Sequence, residues 1–495
     1  MIRACRGLLI AAIGTTAATT TLVATPQPVP QISVGPTSTV AAELDRIFED
    51  PVLAPALVAA RVVSLDDGRT IYTRNAGKLV MPASNMKLVT VAAAAARLGW
   101  DFRFSTTLEA AGAIRAGVLH GDLIVEGTGD PSITSPDLKG AALFDEWADA
   151  LRAAGISHVD GRLIGNDNAF ADEPLGAGWA WDYLSAGYAA PSGALSYNEN
   201  VAVIRITPAS APGLPAHVDI GPPGHGLDLA PSVTTGPEGS TTTIDISRIP
   251  GTARLTIHGQ VSVSSMPLVR TAAVDNPTSY FVDAMRLALA ARGIGISGGS
   301  WDVDDLPDAS QPAPRILIAR RTSQPLSALA GYAMKVSQNF YGETFLKTMG
   351  SVRGVGSIER GRQAVTATLA EWGLPVESLV MSDGSGLSRY NYVTADLIVG
   401  VLQHVWNDPA LRGPYLAALP VGGHDGTLET RMRTAELDRR VQAKTGTISN
   451  VRALSGYLTT TSDEKLAFSV IVNNATAPGV RVDQLIERAL AVLVQ

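Results

Sequence analysis

MPASNMKLVT, residues 81–90, is the stretch on which the reading of this 495-residue chain turns. With the VAAAAARLGW that follows, it predicts a helix that starts near Ser84 and is apolar enough to be buried all round. Ser84 and Lys87 stand at i and i+3, so they share one helical face. A hydroxyl held beside an amine is a nucleophile with its own proton acceptor. At a helix start, backbone N–H groups and the dipole also favour a developing negative charge. S-x-x-K by itself is a weak signal, however. The chain holds a second copy, Ser462 to Lys465 in TSDEKLAF, so partners elsewhere must decide between them.

Composition narrows the field first. The length corresponds to about three domains. A hydrophobic fraction of 46% with 17% charged residues belongs to a packed globular protein rather than a disordered one. A net charge of −7, without a Lys/Arg cluster, excludes a nucleic-acid partner. At the N-terminus, Arg3 and Arg6 precede an apolar run from Gly7 to Ile13, with small residues up to Ala24. That is the layout of a secretory signal, assigned to 1–24. The run is too short to cross a bilayer, and no later segment is long enough for a transmembrane helix. The expectation is an exported protein, periplasmic or extracellular and wall-associated. Cys5, the single cysteine, would leave with the signal, so the mature chain has no disulfide. The seven histidines form no metal-binding spacing and there is no P-loop, so no metal and no cofactor are expected.

Residues 25–40, rich in Pro, Ser and Thr, read as a linker. A short amphipathic helix over 41–51 follows. ALVAARVVSLDDGRTIYTRN then reads as a hairpin turning at Asp67-Gly68. From 101 to 305 short alternating strands dominate, broken by helical patterns at LFDEWADALRAAG and SYFVDAMRLALAARGI. We assign this block to one or two inserted domains. Helical patterns return at LSALAGYAMKVSQNFYGETFLKTMG and GRQAVTATLAEWG. The loop SDGSGLSRYN (382–391) and a helix near 394–406 come next, and the chain ends on the strands VQAKTGT, ALSGYLTT and KLAFSVIVNN and a last helix. Residues 41–100 and 306–495 together predict one α/β domain split by the insertion.

Three patterns stand in order along it: Ser84-Asn-Met-Lys87, Ser337-Gln-Asn339 and Lys444-Thr445-Gly446. S-x-N also occurs at Ser196-Tyr197-Asn198, whereas K-T-G occurs once. In this order they are the set shared by penicillin-binding proteins and class A β-lactamases. The Ser462 copy follows K-T-G and sits in a polar turn, so it is a decoy. The chain resembles the low-molecular-mass class C penicillin-binding proteins, the D-alanyl-D-alanine carboxypeptidase/endopeptidases. The resemblance extends to GDLIVEGTGDPSIT, GNDNAF, ALSYNEN, RTAAVDNPTSYF, SDGSGLSRYNYVT and HDGTLETRM. It departs in carrying S-Q-N where S-D-N or another S-x-N is usual. The middle side chain of that motif is not the catalytic one in the family.

The resemblance implies a penicillin-binding/β-lactamase-like fold of α+β type, with a central antiparallel sheet flanked by helices and interrupted by the β-rich insertion. It implies a serine D-Ala-D-Ala carboxypeptidase, with D,D-endopeptidase action on cross-links, whose partners are peptidoglycan stem peptides and, as covalent inhibitors, β-lactams. Acyl transfer needs a nucleophile, a base, oxyanion donors and a carboxylate anchor. Ser84 supplies the nucleophile. Lys87 is its base once burial and a nearby cation, Lys444, hold it neutral. Ser337 relays a proton to the leaving nitrogen, and Asn339 orients Lys87. Lys444 and Thr445 meet the substrate carboxylate. Gly446 leaves room for substrate backbone, and the N–H groups of Ser84 and Thr447 hold the oxyanion. Arg389 lies on a loop, where it either meets a peptide carboxylate or is merely solvated. Asp182, Tyr183 and Tyr188 are candidates for reading the stem peptide's diamino acid. Asp425 and Thr427 set a turn, and His424 is a surface histidine. Two alternatives remain: a serine β-lactamase, against which stands the absence of an E-x-x-L-N motif, and a non-catalytic peptidoglycan-binding protein.

Overall fold

The computed structural model describes residues 39–134, 143–306, 314–352 and 354–495. The expected signal and most of the expected linker therefore lie outside the described residues. The first helix, α1 (Thr39–Phe48), begins inside the span assigned to that linker.

The sheet that carries the site is assembled from the two ends of the chain. Strand β1 (Leu57–Ser64) pairs antiparallel with β2 (Thr70–Arg74) across the Asp67-Gly68 turn, where Gly68 takes a positive φ of 76°. Strands β3 (Val441–Ile448), β4 (Val451–Thr459) and β5 (Lys465–Asn473) complete it in the order β3-β4-β5-β1-β2. The join is β5 against β1, with Leu57 opposite Asn473 and Ser64 opposite Leu466. Both faces of this sheet are covered, so β4 and β5 are apolar almost throughout. Strand alternation sends Val58, Ala60 and Val62 to one side and Ala59 and Val63 to the other. The first set packs with α1 and the last helix, α8 (Gly479–Val494). The second set packs with the larger helical layer.

At the centre of that layer is α2 (Met86–Leu98), whose residues Met86 to Ala95 are all buried. Alanines let neighbouring helices approach from every side, and such an interior has no room to adjust. Around it lie α3 (Leu326–Lys335), α4 (Asn339–Ser351), α5 (Ile358–Glu371), α6 (Ala395–Asn407) and α7 (Pro409–Ala418). The helix α6 starts where expected, because the Thr394 hydroxyl accepts the Leu397 N–H at 3.0 Å. The continuous helical pattern over 326–350 is broken in two at Val336–Gln338. Ser337 there takes φ +63°, a left-handed conformation that a helix cannot contain.

The insertion has its own cores. A seven-stranded sheet built on the strands Ser105–Arg115 and Val118–Gly127 packs against the helices Leu143–Ala153 and Pro277–Ala291. Two three-stranded sheets share a smaller core. The strand Arg315–Thr322, placed by its sequence beyond the boundary at 305, pairs with Ser105–Arg115 so that Thr322 faces Ser105. Composition does not reveal that pairing, because strand partners are not encoded in local patterning. Among the described residues no helix is long and apolar enough to cross a membrane.

Candidate active site

Ser84 lies in a short 3-10 turn, Ala83–Asn85, that leads into α2. Ala83 before it takes φ +47°, which swings the chain so that Ser84 faces out while Asn85 and Met86 are buried. One turn on, Lys87 is completely buried. Its Nζ lies 3.0 Å from Ser84 Oγ, 2.6 Å from Asn339 Oδ1 and 2.9 Å from the Ser385 carbonyl. Burial drives this amine down to about 7, against the opposing pull of the Asp383 and Glu343 carboxylates. Lys444, expected to depress Lys87 together with burial, is not the first cause of the low value. Loss of hydration does the work. Lys444 is itself held well below the usual lysine range, first by burial and then by the charge of Lys87.

The break between α3 and α4 exposes Ser337 and starts α4 at Asn339. Lys444 Nζ donates to Ser337 Oγ at 2.8 Å, so the second and third motifs meet. Asn339 is oriented from its other end, where its Nδ2 donates to the Tyr188 carbonyl at 2.8 Å. That leaves its Oδ1 for Lys87. The inserted segment therefore supplies a backbone contact that fixes this amide. It also reaches the middle motif residue. Gln338 Nε2 donates to Glu199, which accepts the Tyr332 hydroxyl as well, at 2.7 Å.

Asn85 was silent in the sequence. Its Nδ2 donates to the Lys444 carbonyl at 2.7 Å and its Oδ1 accepts the Ser455 hydroxyl at 2.6 Å, all of it buried. This amide rivets the nucleophile's turn to β3 and β4. Gly446 has a second reason to be a glycine. A Cβ there would fall 2.7 Å from the Pro82 carbonyl and 3.0 Å from Ala453 Cβ, so the glycine lets the Ser84 turn lie close against the strand.

β3 is an edge strand. Its outer side is occupied at Ala443, whose N–H donates to the Pro420 carbonyl at 2.9 Å. Alternation turns the N–H groups of Thr445 and Thr447 the same way. A cleft of about 620 Å³ is lined by Ser84, Ser337, Asn339, Thr447, Tyr183 and Tyr188, and extends past Ser449. The Thr445 hydroxyl, expected to face a carboxylate, bonds instead to that of Thr427 at 2.8 Å, which gives Thr427 a contact beyond its turn. Arg389 reaches the rim, where its Nη2 donates to the Ser449 carbonyl at 2.9 Å. Tyr183 OH lies 3.0 Å from Ser449 Oγ, while Asp182 is exposed. Asp425 accepts Lys335 and the Val421 N–H and so holds its turn, with His424 exposed beside it.

The second copies of S-x-x-K and S-x-N are engaged locally. Lys465 is bound to Asp463 and Ser462 to Thr460. Ser196 and Asn198 tie their own loop through the carbonyls of Gly193 and Val201. The three carboxylates of Asp167, Asp302 and Asp304, within 4.8 Å of one another, are the cation-like grouping among the described residues, and none of them lines the cleft.

The model of the D-Ala-D-Ala carboxypeptidase 3 (S13) family matches residues 40–493. The chain is 35% identical over 449 residues to a D-alanyl-D-alanine carboxypeptidase of an Actinomadura species, covering 88% of this chain and 81% of that one. It is 27% identical over 417 residues to the D-alanyl-D-alanine carboxypeptidase DacB of Haemophilus influenzae, covering 83% and 84%. Its fold matches the crystal structure of penicillin binding protein 4 from Haemophilus influenzae with a TM-score of 0.79, at 24% identity, over 91% of this chain and 99% of that one. A structure of that same protein complexed with a β-lactam matches with a TM-score of 0.74, at 23% identity, over 92% of this chain and 99% of that one.

Proposed function

Because the chain belongs to the D-Ala-D-Ala carboxypeptidase 3 (S13) family, we propose that it is a serine D-Ala-D-Ala carboxypeptidase acting on peptidoglycan stem peptides, with D,D-endopeptidase action on cross-links by the same chemistry. The observation that carries this reading is the contact of Lys87 Nζ with Ser84 Oγ at 3.0 Å and with Asn339 Oδ1 at 2.6 Å. A buried amine brought down to about 7 is free base in a large fraction of molecules at neutral pH, so it takes the serine proton without a histidine.

In this reading Ser84 Oγ attacks the penultimate D-alanine carbonyl as its proton passes to Lys87. The oxyanion is held by the N–H groups of Ser84 and Thr447. One such donor is worth about 10²–10³ in rate. Ser337, hydrogen-bonded to Lys444, delivers a proton to the departing D-alanine nitrogen. The arriving carboxylate stabilises the charged form of Lys444, whose burial otherwise disfavours it. Thr445 reaches that carboxylate by exchanging its contact with Thr427. Arg389 frames the far rim. Water then releases the acyl group. β-Lactams, whose strained amide also lies beside a carboxylate, acylate Ser84. The leader-like residues 1–24 support export to the compartment that holds peptidoglycan.

Intact-protein mass after incubation with penicillin tests the reading. One adduct is expected on the wild type and none on Ser84→Ala. No adduct on the wild type, or one that survives the substitution, overturns it. Rapid β-lactam turnover without an adduct would instead mark a β-lactamase. Muropeptide binding with no cleavage would mark a non-catalytic binder.

A further inference from the structure

Glu343 is a fully enclosed carboxylate that none of the three motifs contains. It sits one turn after Asn339 on α4, so both side chains point from the same helical face. Its two oxygens are each used. Oε2 accepts the Gly384 N–H at 3.0 Å and Oε1 the Ser385 N–H at 2.8 Å. The carbonyl oxygen of the same Ser385 accepts Lys87 Nζ at 2.9 Å. One helix therefore reaches the same amine twice, directly through Asn339 and through the loop by way of Glu343.

We propose that Glu343 is a positioning residue for acylation: its carboxylate fixes the Ser385 carbonyl on Lys87 and stabilises the lysine's protonated form. The role rests on Ser84 being the nucleophile that is acylated. When Lys87 takes the serine proton, the Oγ–H bond breaks, an N–H bond forms, and positive charge appears on Nζ. The carbonyl dipole and the carboxylate behind it meet that charge as it develops, already in place.

The chemistry of the position supports this. Packing alone would be served by an uncharged residue of similar size. The carboxylate meets two successive N–H donors with a separate oxygen for each and brings a negative charge, which an amide would not. The loop is independently anchored, since the Thr90 hydroxyl donates to the Gly384 carbonyl at 2.7 Å. The charged groups around Glu343 come from every element packed on it: Lys87 from α2, Asp383 from the loop, and Lys347 from the next turn of α4, with Lys444 facing Lys87 from β3. Burial and the Asp383 charge raise the Glu343 carboxyl, while its hydrogen bonds from the Ser385 and Gly384 N–H groups act the other way and favour the ionised form.

The test is the pH dependence of penicillin acylation, followed by adduct mass. Removing the charge should let Lys87 lose its proton more easily. Glu343→Gln should move the acid limb of the profile to lower pH. It should also lower the plateau about tenfold, as a misplaced carbonyl contact would. Glu343→Asp keeps the charge and should keep the limb where it is. Thr90→Val loosens the same loop without touching charge, so it should lower the rate and leave the limb unmoved. An unmoved limb in Glu343→Gln, or an equal shift in Thr90→Val, overturns the proposal. If Glu343→Gln does not fold, Glu343→Asp decides: its shorter carboxylate should lower the plateau and keep the limb, and a plateau equal to that of the wild type overturns the proposal. A wild type that forms no adduct refutes the acyl-enzyme itself, whereas an adduct on Ser84 with an unmoved limb refutes only the role of Glu343.

Discussion

Asn85→Ala separates the chemistry of Ser84 from its placement. The side chain makes two fully buried hydrogen bonds, to the Lys444 carbonyl at 2.7 Å and from the Ser455 hydroxyl at 2.6 Å. Ser455 retains Ser469 as a partner at 2.9 Å, so it is not orphaned. The Lys444 carbonyl keeps its ladder partner across from Ser455. The stability cost should therefore stay near the lower end for buried polar losses, about 2–4 kcal/mol for the two bonds with the small cavity. The effect on rate should be larger than that figure suggests. The amide is what holds the Ser84 turn to the strand bearing Lys444 and Thr447, and a displacement of about 1 Å can cost about 10²-fold. Acylation by a fluorescent penicillin, measured above the Lys87 midpoint, should fall by roughly that factor while the adduct still forms on Ser84. Asn85→Asp should be less stable than Asn85→Ala, because it leaves a buried charge against a carbonyl oxygen. An Asn85→Ala protein that acylates as fast as the wild type would refute the rivet.

Lys87→Met should reduce acylation by roughly 10²–10⁴-fold, the usual worth of a general base. In the wild type the rate should rise with pH through about 7, where burial places the free amine; a rate that falls over that range contradicts the assignment. Gly446→Ala should cost about 1–3 kcal/mol as an overpacked site, seen in urea unfolding, and should slow acylation because its Cβ pushes on Pro82. Lys347 is buried, pushed down to about 8 by desolvation, and bonded to the carbonyls of Glu173 and Ser192. Its folded value lies below the unfolded lysine value, so between about 8 and 10 the unfolded chain binds more protons and stability rises with pH. Lys347→Met should remove that rise from the pH series of urea midpoints, and an unchanged slope contradicts it. Ser462→Ala should leave acylation unaltered, since Ser462 bonds only within its own turn.

Much of this was legible along the chain. Turn chemistry at Asp67-Gly68, the run of alanines after Lys87 and the apolar strands near the C-terminus are local patterns, and each became the element it predicts. The order S-x-x-K, S-x-N, K-T-G picked out residues that meet in space across 107 and 252 positions of sequence. What local pattern could not carry was pairing. The strand Arg315–Thr322 belongs to the inserted sheet only because of its partner. Ser337 left a helix because a left-handed residue was needed where two helices part.

The residues that the sequence kept hidden are those whose meaning is entirely in their partners. Asn85, Glu343 and Asp383 are ordinary polar residues until folding buries them, and Glu199 until it is half-buried against Gln338 and Tyr332. Asp383, for example, gathers the N–H groups of Gly386 and Ser388 and the side chains of Asn391 and Trp179 into one loop. The types and order of the candidate reacting groups were therefore legible in sequence alone, because the three motifs in order single out what each motif by itself does not. The proton affinity of Lys87, the contact that fills Gly446 and the partner of Thr445 were decided only by tertiary structure. Desolvation, close packing and hydrogen-bond competition depend on what is brought near from elsewhere in the chain, and spacing does not record that.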